Sequence, residues 1–252
     1  MKSDTSPLND VRIGEVTSQW AKGNHLFVRY FKTLSSTNDL AKEEAFHEDL
    51  LAEALALYIT DQQSQGRGRK EHTWTNAPVG AALYASWSYL TDAHPQPILS
   101  PLMGLALYRA LSCTWPFLDW SMKAPNDIYL GSKKVAGILI ENIVQGDETR
   151  IIIGVGLNVL AAPSSIEHAT SIAESLPSGV PLLGEDYISF LDRFLFEITE
   201  ALSKSEQALS PTDQLSLKKA LNQWPLLEQP YVRIESDGTL FSESQSWHWS
   251  QL

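Results

Sequence analysis

Two strand-like runs joined by a long connection rich in glycine and arginine constrain this chain more than any other feature. Ala54 to Thr60 is short and apolar and ends at Asp61, the pattern of a buried strand. Gly80 to Tyr89 alternates, with Leu83, Ala85, Trp87 and Tyr89 on one face and Tyr84, Ser86 and Ser88 on the other, the pattern of a half-buried strand. Between them lies Gln63-Ser-Gln-Gly66-Arg67-Gly68-Arg69-Lys70, followed by Trp74, in a loop anchored at both ends. Glycine lets backbone N–H groups approach a ligand closely. Arginine presents a rigid fork of donors that matches carboxylate or phosphate oxygens two at a time. The stretch is built to wrap an anion, although taken alone it would pass for a solvated surface loop.

The rest of the chain supplies a core and sets limits. A hydrophobic fraction of 43% with eight Trp in 252 residues is enough to bury one large domain, or one domain and a small appendage. A formal net charge of −11 and a pI near 5.0 argue against a general nucleic-acid binder, so the cationic residues are local devices. The single cysteine, Cys113, excludes an intrachain disulfide framework and fits a reducing compartment. No apolar leader and no apolar run of membrane-spanning length is present, so a cytoplasmic location with no membrane partner is expected.

Taken in order, residues 1–24 read as a polar lead-in. A strand is expected over His25 to Phe31, then a helix through the forties capped by Ser36 or Thr37. Ser100-Pro101 suits the start of a helix that reaches about Cys113. Strands are expected over Leu118 to Met122, Asp127 to Leu130, Val135 to Asn142 and Arg150 to Val155, with hairpin turns at 131–134 and 145–148. Apolar spacing predicts helices over Asp186 to Leu202 and 213–222, ahead of a short β-like tail. This order predicts an α+β fold with a central mixed, largely antiparallel sheet flanked by helices. The expected division is 1–24 lead-in, 25–223 main domain and 224–252 abbreviated C-terminal segment.

Two further segments join the loop as candidate sites. Lys123 ends an apolar strand and precedes Ala124-Pro125-Asn126-Asp127; an ammonium there is costly to leave unpaired, so an anionic ligand is a reasonable partner. Ile151 to Val159 ends a buried strand with Gly154 and Gly156, but lacks the third glycine and following helix of a dinucleotide fingerprint. There is no Walker A pattern, no zinc-ligand spacing among the six histidines and no Gly-x-Ser-x-Gly elbow. Arg67, Arg69 and Lys123 therefore point to a small phosphate-bearing ligand, a nucleotide, since cationic donors are a standard device around a phosphoryl group in displacement.

Four segments together resemble the biotin–protein ligases: Ser36-Thr37-Asn38; Gln63-x-x-Gly66-Arg67-Gly68-Arg69 with Trp74; Lys123-x-Pro125-Asn126-Asp127 followed by Gly137-Ile-Leu-Ile-Glu141; and Gly154-x-Gly156-x-Asn158-Val159. The resemblance covers roughly 25–200 and implies the biotin/lipoate ligase catalytic fold, similar to class II aminoacyl-tRNA synthetases. It implies a ligase that joins biotin and ATP as biotinyl-5′-AMP, then passes biotin to one lysine of a biotin carboxyl carrier protein domain, typically that of acetyl-CoA carboxylase. It assigns Lys123 and Arg69 as catalytic. Ser36, Thr37, Asn38, Gln63, Gly66, Arg67, Gly68, Arg69, Lys123 and Gly137 fall to biotin or the adenylate, and Trp74 and Asn158 to the nucleotide side. Magnesium (Mg2+) is expected with ATP, its protein ligands unassigned, and both monomers and homodimers fit the family.

The chain departs from the family pattern at several points. His72 stands where another arginine is common, Glu71 where glycine is common, and Ala124 where an aromatic usually follows the lysine. Too few residues precede the first strand for the DNA-binding domain of repressor-type members, so no DNA partner is expected. The loop's cations are expected to have little to hold them until a ligand arrives. Two alternatives accompany the main reading: a lipoate–protein ligase, and a non-catalytic biotin- or nucleotide-binding protein of the same fold.

Overall fold

The computed structural model describes residues 8, 11–70, 72–92 and 95–252; residues 1–7, 9 and 10 of the expected lead-in, and Glu71, lie outside the described residues. Along the chain come α1 (Ile13–Gly23), β1 (Phe27–Phe31), α2 (Thr37–Glu43), β2 (Leu55–Thr60), β3 (Ala82–Thr91), α3 (Leu99–Thr114), β4 (Trp120–Lys123), β5 (Asp127–Leu130), β6 (Lys133–Gln145) and β7 (Glu148–Asn158). Then follow α4 (Ile172–Ser175), α5 (Gly184–Leu202), α6 (Pro211–Asn222), β8 (Arg233–Ile234), β9 (Leu240–Phe241) and β10 (Ser246–Trp247). The chain forms two compact units, one from 1–93 with 135–188 and one from 94–134 with 189–252.

In the first unit β1 runs parallel to β2, and β2, β3, β7 and β6 follow as antiparallel neighbours. This is the mixed, largely antiparallel sheet that the sequence predicts. Helix α1 corrects the lead-in. Ile13, Thr17, Trp20 and Ala21 recur at helical spacing and are buried. The Trp20 indole meets that of Trp87 on β3 edge-on, with ring centroids 5.9 Å apart. Burial of Ile13 alone contributes on the order of 2 kcal/mol.

Helix α2 starts where expected, because the Ser36 hydroxyl accepts the Asp39 amide. Its Ala41 packs with Tyr58 of β2 and Ile152 of β7. Strand β3 is therefore not half-buried: Ser86 and Ser88 are as fully covered as Trp87. Beneath the end of α2, the wholly buried Arg150 donates to the carbonyls of Ala45 (2.8 Å), Leu50 (2.5 Å), Glu53 (3.1 Å) and Ser88 (3.4 Å). Burial lowers its pKa from the ordinary guanidinium value.

In the second unit α3 begins at Leu99 with Ile98 as its uncapped flank, so Ser100 is not the cap. Pro101 stands within the first turn, where its missing N–H is one of the groups left unpaired anyway. The β4–β5 hairpin pairs Lys123 with Asp127 across the ladder. Its turn contains the cis Ala124-Pro125 bond. Helix α6 is capped by Ser210 with Pro211 at its first turn, and its Asp213 accepts from Arg109 of α3 at 2.9 Å. The tail forms the small antiparallel sheet β10-β9-β8, and residues 224–252 fall in the same unit as β4 and β5. No helix among the described residues is long and apolar enough to cross a membrane.

Candidate active site

The site in the first unit is built on the face of the sheet that carries Ser86, Gly154, Gly156 and Gly137. Gly154 pairs with Ser86, Gly156 pairs with Tyr84 on one side and Gly137 on the other, so a strip of sheet is bare of side chains. Two residues from elsewhere occupy that strip. A Cβ on Gly154 would lie 2.3 Å from Asn38 Oδ1, and one on Gly156 would lie 2.7 Å from the Trp74 indole. Both glycines are needed for close approach of a side chain, not for a special backbone angle.

The start of α2 lies over this floor. The Thr37 amide donates to Gln63 Oε1 at 2.9 Å, and the Thr37 hydroxyl lies 3.3 Å from the same oxygen. Ser86 Oγ is 2.5 Å from Asn38 Oδ1 and 2.7 Å from Thr37 Oγ1. Its single proton goes to the Asn38 carbonyl oxygen, which can only accept, and leaves Thr37 to donate. Asn38 Nδ2 donates to Glu141 Oε2 at 2.8 Å and to the Leu139 carbonyl at 3.4 Å. Asn38 is thus engaged at both ends by the protein, while Gln63 Nε2 has no hydrogen bond among the described residues.

Glu141 is the hub of the charged groups. Arg67 reaches its two oxygens at 2.5 and 2.6 Å, Lys42 approaches to 3.0 Å, and Asp39 lies 3.3 Å from Arg67 and 3.0 Å from Lys42. Burial pushes the Glu141 carboxyl up, but bonds from Arg67, Asn38 and Lys42 together hold it below its ordinary value. Arg67 therefore has carboxylate partners inside the protein, and the expectation that the loop's cations have little to hold them does not apply to it.

The loop itself closes as a miniature ladder. The Trp74 amide donates to the Gly66 carbonyl at 2.9 Å, Arg67 bridges Thr73, and the Gly68 amide donates to the His72 carbonyl at 2.6 Å. A Cβ on Gly66 would lie 2.9 Å from the Trp74 carbonyl, so glycine lets the two arms approach. Lys70 takes φ +50 at the tip. The His72 side chain is exposed, and what it gives the loop is backbone bonding. Arg69 is half-buried, and its buried Nη1 has no hydrogen-bond partner among the described residues. Such a donor is a natural place for an anion's oxygen.

Asn158 ends β7, where its Nδ2 donates to the Thr170 carbonyl at 3.0 Å and its buried Oδ1 has no partner among the described residues. Lys123 belongs to the second unit, as the last residue of β4. Its ladder partner Asp127 is taken by Lys134 at 2.7 Å. Lys123 has no carboxylate partner among the described residues, and its Nζ sits over the Trp224 ring, 4.8 Å from the centroid. Ala124 offers only a methyl, so the aromatic neighbour of this lysine comes from just beyond α6. Tyr129 packs on the same indole at 5.6 Å. Burial, then the charge of Asp127, pushes its phenol up to about 12, so it stays neutral beside the lysine's support.

The structure thus brings together Thr37, Asn38, Gln63, Gly66, Arg67, Trp74 and Gly137, and gives Ser36 the role of helix cap. Sequence reasoning missed Ser86 as a site residue and left Glu141 without a partner. Ser86 shares its strand face with Tyr84 and Ser88 and carried no sign of its own. Among the described residues no group of three or more His, Cys, Asp and Glu is placed to hold a metal ion.

Comparison with known proteins agrees with this geometry. Residues 30–158 match the Biotin/lipoate A/B protein ligase family. The chain is 32% identical over 172 residues to the bifunctional ligase/repressor BirA of Bacillus subtilis, covering 67% of this chain and 50% of that one. It is 32% identical over 123 residues to the biotin–[acetyl-CoA-carboxylase] ligase of Paracoccus denitrificans, covering 44% and 47%. The chain spans about half the length of the curated relatives it matches. The solved biotin protein ligase of Aquifex aeolicus in complex with biotin and ATP superposes with a TM-score of 0.64 at 24% identity, covering 88% of this chain and 94% of that one. That likeness shows a shared fold, and the family match covers the strands and loops that build the site. The chain belongs to the biotin/lipoate A/B protein ligase family.

Proposed function

We propose that this protein is an ATP-dependent biotin–protein ligase. In the first step a biotin carboxylate oxygen attacks the α-phosphorus of ATP, and pyrophosphate leaves with the electron pair of the broken P–O bond. In the second, a carrier lysine amine attacks the acyl carbon, AMP leaves, and the nitrogen loses a proton. The observation that carries the reading is the polar cluster of Thr37, Asn38, Gln63 and Ser86 over a glycine floor, beside an arginine loop. Gln63 Nε2 and the Thr37 hydroxyl can meet the carbonyl and N–H edges of a small polar ring such as the biotin ureido group.

Adenylation brings two anions together, so cations that screen their repulsion and meet charge on the phosphorus are the main contribution the protein can make. Arg67 and Arg69 supply two such groups. Lys123, with no carboxylate to neutralise it among the described residues, is the candidate for contact with both carboxylate and phosphate oxygens. Magnesium would travel with the triphosphate, as it does where a site offers few protein ligands.

The partner proposed is a biotin carboxyl carrier domain of acetyl-CoA carboxylase; acetyl-CoA carboxylase is the enzyme in the name of the Paracoccus denitrificans relative. The place of action proposed is the cytoplasm, which suits the single free thiol of Cys113. The catalytic region is proposed to occupy 25–223. ATP–pyrophosphate exchange with biotin, lipoate or octanoate tests the reading. Exchange stimulated by biotin supports it. Exchange with lipoate and not biotin would make the protein a lipoate ligase, and none with any acid would leave a binding protein.

A further inference from the structure

Resting on that reading of Lys123, we propose that Trp224 is the positioning residue that holds the catalytic ammonium in place. The nearest carboxylate in the ladder, Asp127, is committed to Lys134 at 2.7 Å. The Lys123 ammonium instead lies over the Trp224 indole, 4.8 Å from the ring centroid. An indole face attracts a cation through its quadrupole without neutralising it. A carboxylate at the same place would hold the lysine equally well but would cancel the charge that an incoming carboxylate or phosphate needs. Holding by a π-face is therefore a way to fix a long, flexible side chain and keep its full charge available.

The support is itself built in. Trp224 follows α6, and its amide donates to the Leu221 carbonyl at 3.2 Å. Helix α6 is fixed by Arg109 on Asp213 at 2.9 Å and by Tyr108 on Gln223 at 2.6 Å. Tyr129 of β5 backs the indole at 5.6 Å. The Trp224 Nε1 is buried and makes no hydrogen bond among the described residues, so the ring is there for its face and not for its N–H. Residue 224 also opens the segment expected to be abbreviated, and this assignment gives its first residue a part in positioning the catalytic lysine.

The test compares Trp224→Phe, Trp224→Leu and Trp224→Met in biotin-dependent ATP–pyrophosphate exchange, with thermal melts of each and with Lys123→Ala beside them. Phe keeps a π-face; Leu and Met keep apolar bulk, and Met fills the space if Leu fails to fold. The expected result is a kcat lower by roughly tenfold for Leu and Met at little-changed KM for biotin, with Phe restoring most of the rate. Equal rates for Phe, Leu and Met, whether high or low, would overturn the positioning role while leaving the ligase reading intact. Near-normal exchange by Lys123→Ala would instead remove the lysine from the mechanism, and this inference with it.

Discussion

Replacing Gly154 with alanine is the sharpest perturbation the site offers. The new Cβ would meet Asn38 Oδ1 at 2.3 Å and Cγ at 2.9 Å, inside the distance at which real carbon atoms pack. Asn38 is 4% exposed and held by Ser86, Glu141 and the Leu139 carbonyl, so it has no free direction in which to withdraw. Relief needs a shift of about 1 Å, which overpacks the site by about 1–3 kcal/mol. The same shift breaks the Ser86 bond and leaves buried polar atoms unsatisfied, at about 1–3 kcal/mol more. Gly154→Ala should therefore lower unfolding free energy by about 2–6 kcal/mol in urea titrations and weaken biotin binding by calorimetry. The cause is a single side chain, so the penalty should largely vanish in an Asn38→Ala background, where the new methyl fills vacated space. A Gly154→Ala penalty of the same size in both backgrounds would refute the reasoning, because it would place the cost in the β7 backbone.

Further outcomes follow from the same contacts. Glu141 has a lowered pKa in the folded protein, so its bonds to Arg67, Lys42 and Asn38 contribute stability that is present above the ordinary carboxylate pKa and is lost as pH falls through the folded value. Glu141→Gln should remove that part of the acid limb in urea midpoints measured against pH, and superimposable limbs for the two proteins would contradict it. Arg150→Leu strips the donor from four carbonyls, three of the bonds buried, and should cost roughly 3 kcal/mol by denaturant titration; a loss below about 1 kcal/mol would show that those carbonyls find other partners. Lys123→Ala should abolish adenylation in pyrophosphate exchange while circular dichroism and melting stay close to the parent.

What the sequence made legible was local. Strand and helix spacing placed β2, β3, β7 and α5 to within a few residues, because one or two periodicities decide those elements. The segments around Asn38, Gln63, Arg67 and Glu141 were visible as short patterns. Their mutual bonds were not, since Asn38 and Glu141 are 103 positions apart and meet only through sheet register. Gly154 and Gly156 fall short of a dinucleotide fingerprint, and each is small because a distant side chain, Asn38 or Trp74, lies on it. Helix α1 carried its periodicity openly, but its polar residues Thr17 and Ser18 are buried, and polarity was taken for exposure. Ser100 lost its capping role because Pro97 and Ile98 already turn the chain into α3, the Ser100 amide donating to the Pro97 carbonyl at 3.4 Å. Nothing in the run after Lys123 announced that its aromatic neighbour would come from position 224.

The proposed activity is to activate biotin and hand it to a carrier lysine. Incubating the protein with ATP, magnesium, labelled biotin and a purified biotin carboxyl carrier domain, then locating the label by mass spectrometry, tests that activity most directly. ATP-dependent label is expected on one lysine of the carrier, and none when Lys123→Ala replaces the parent protein. An unlabelled carrier, with lipoate delivered to a lipoyl domain under the same conditions, would contradict it.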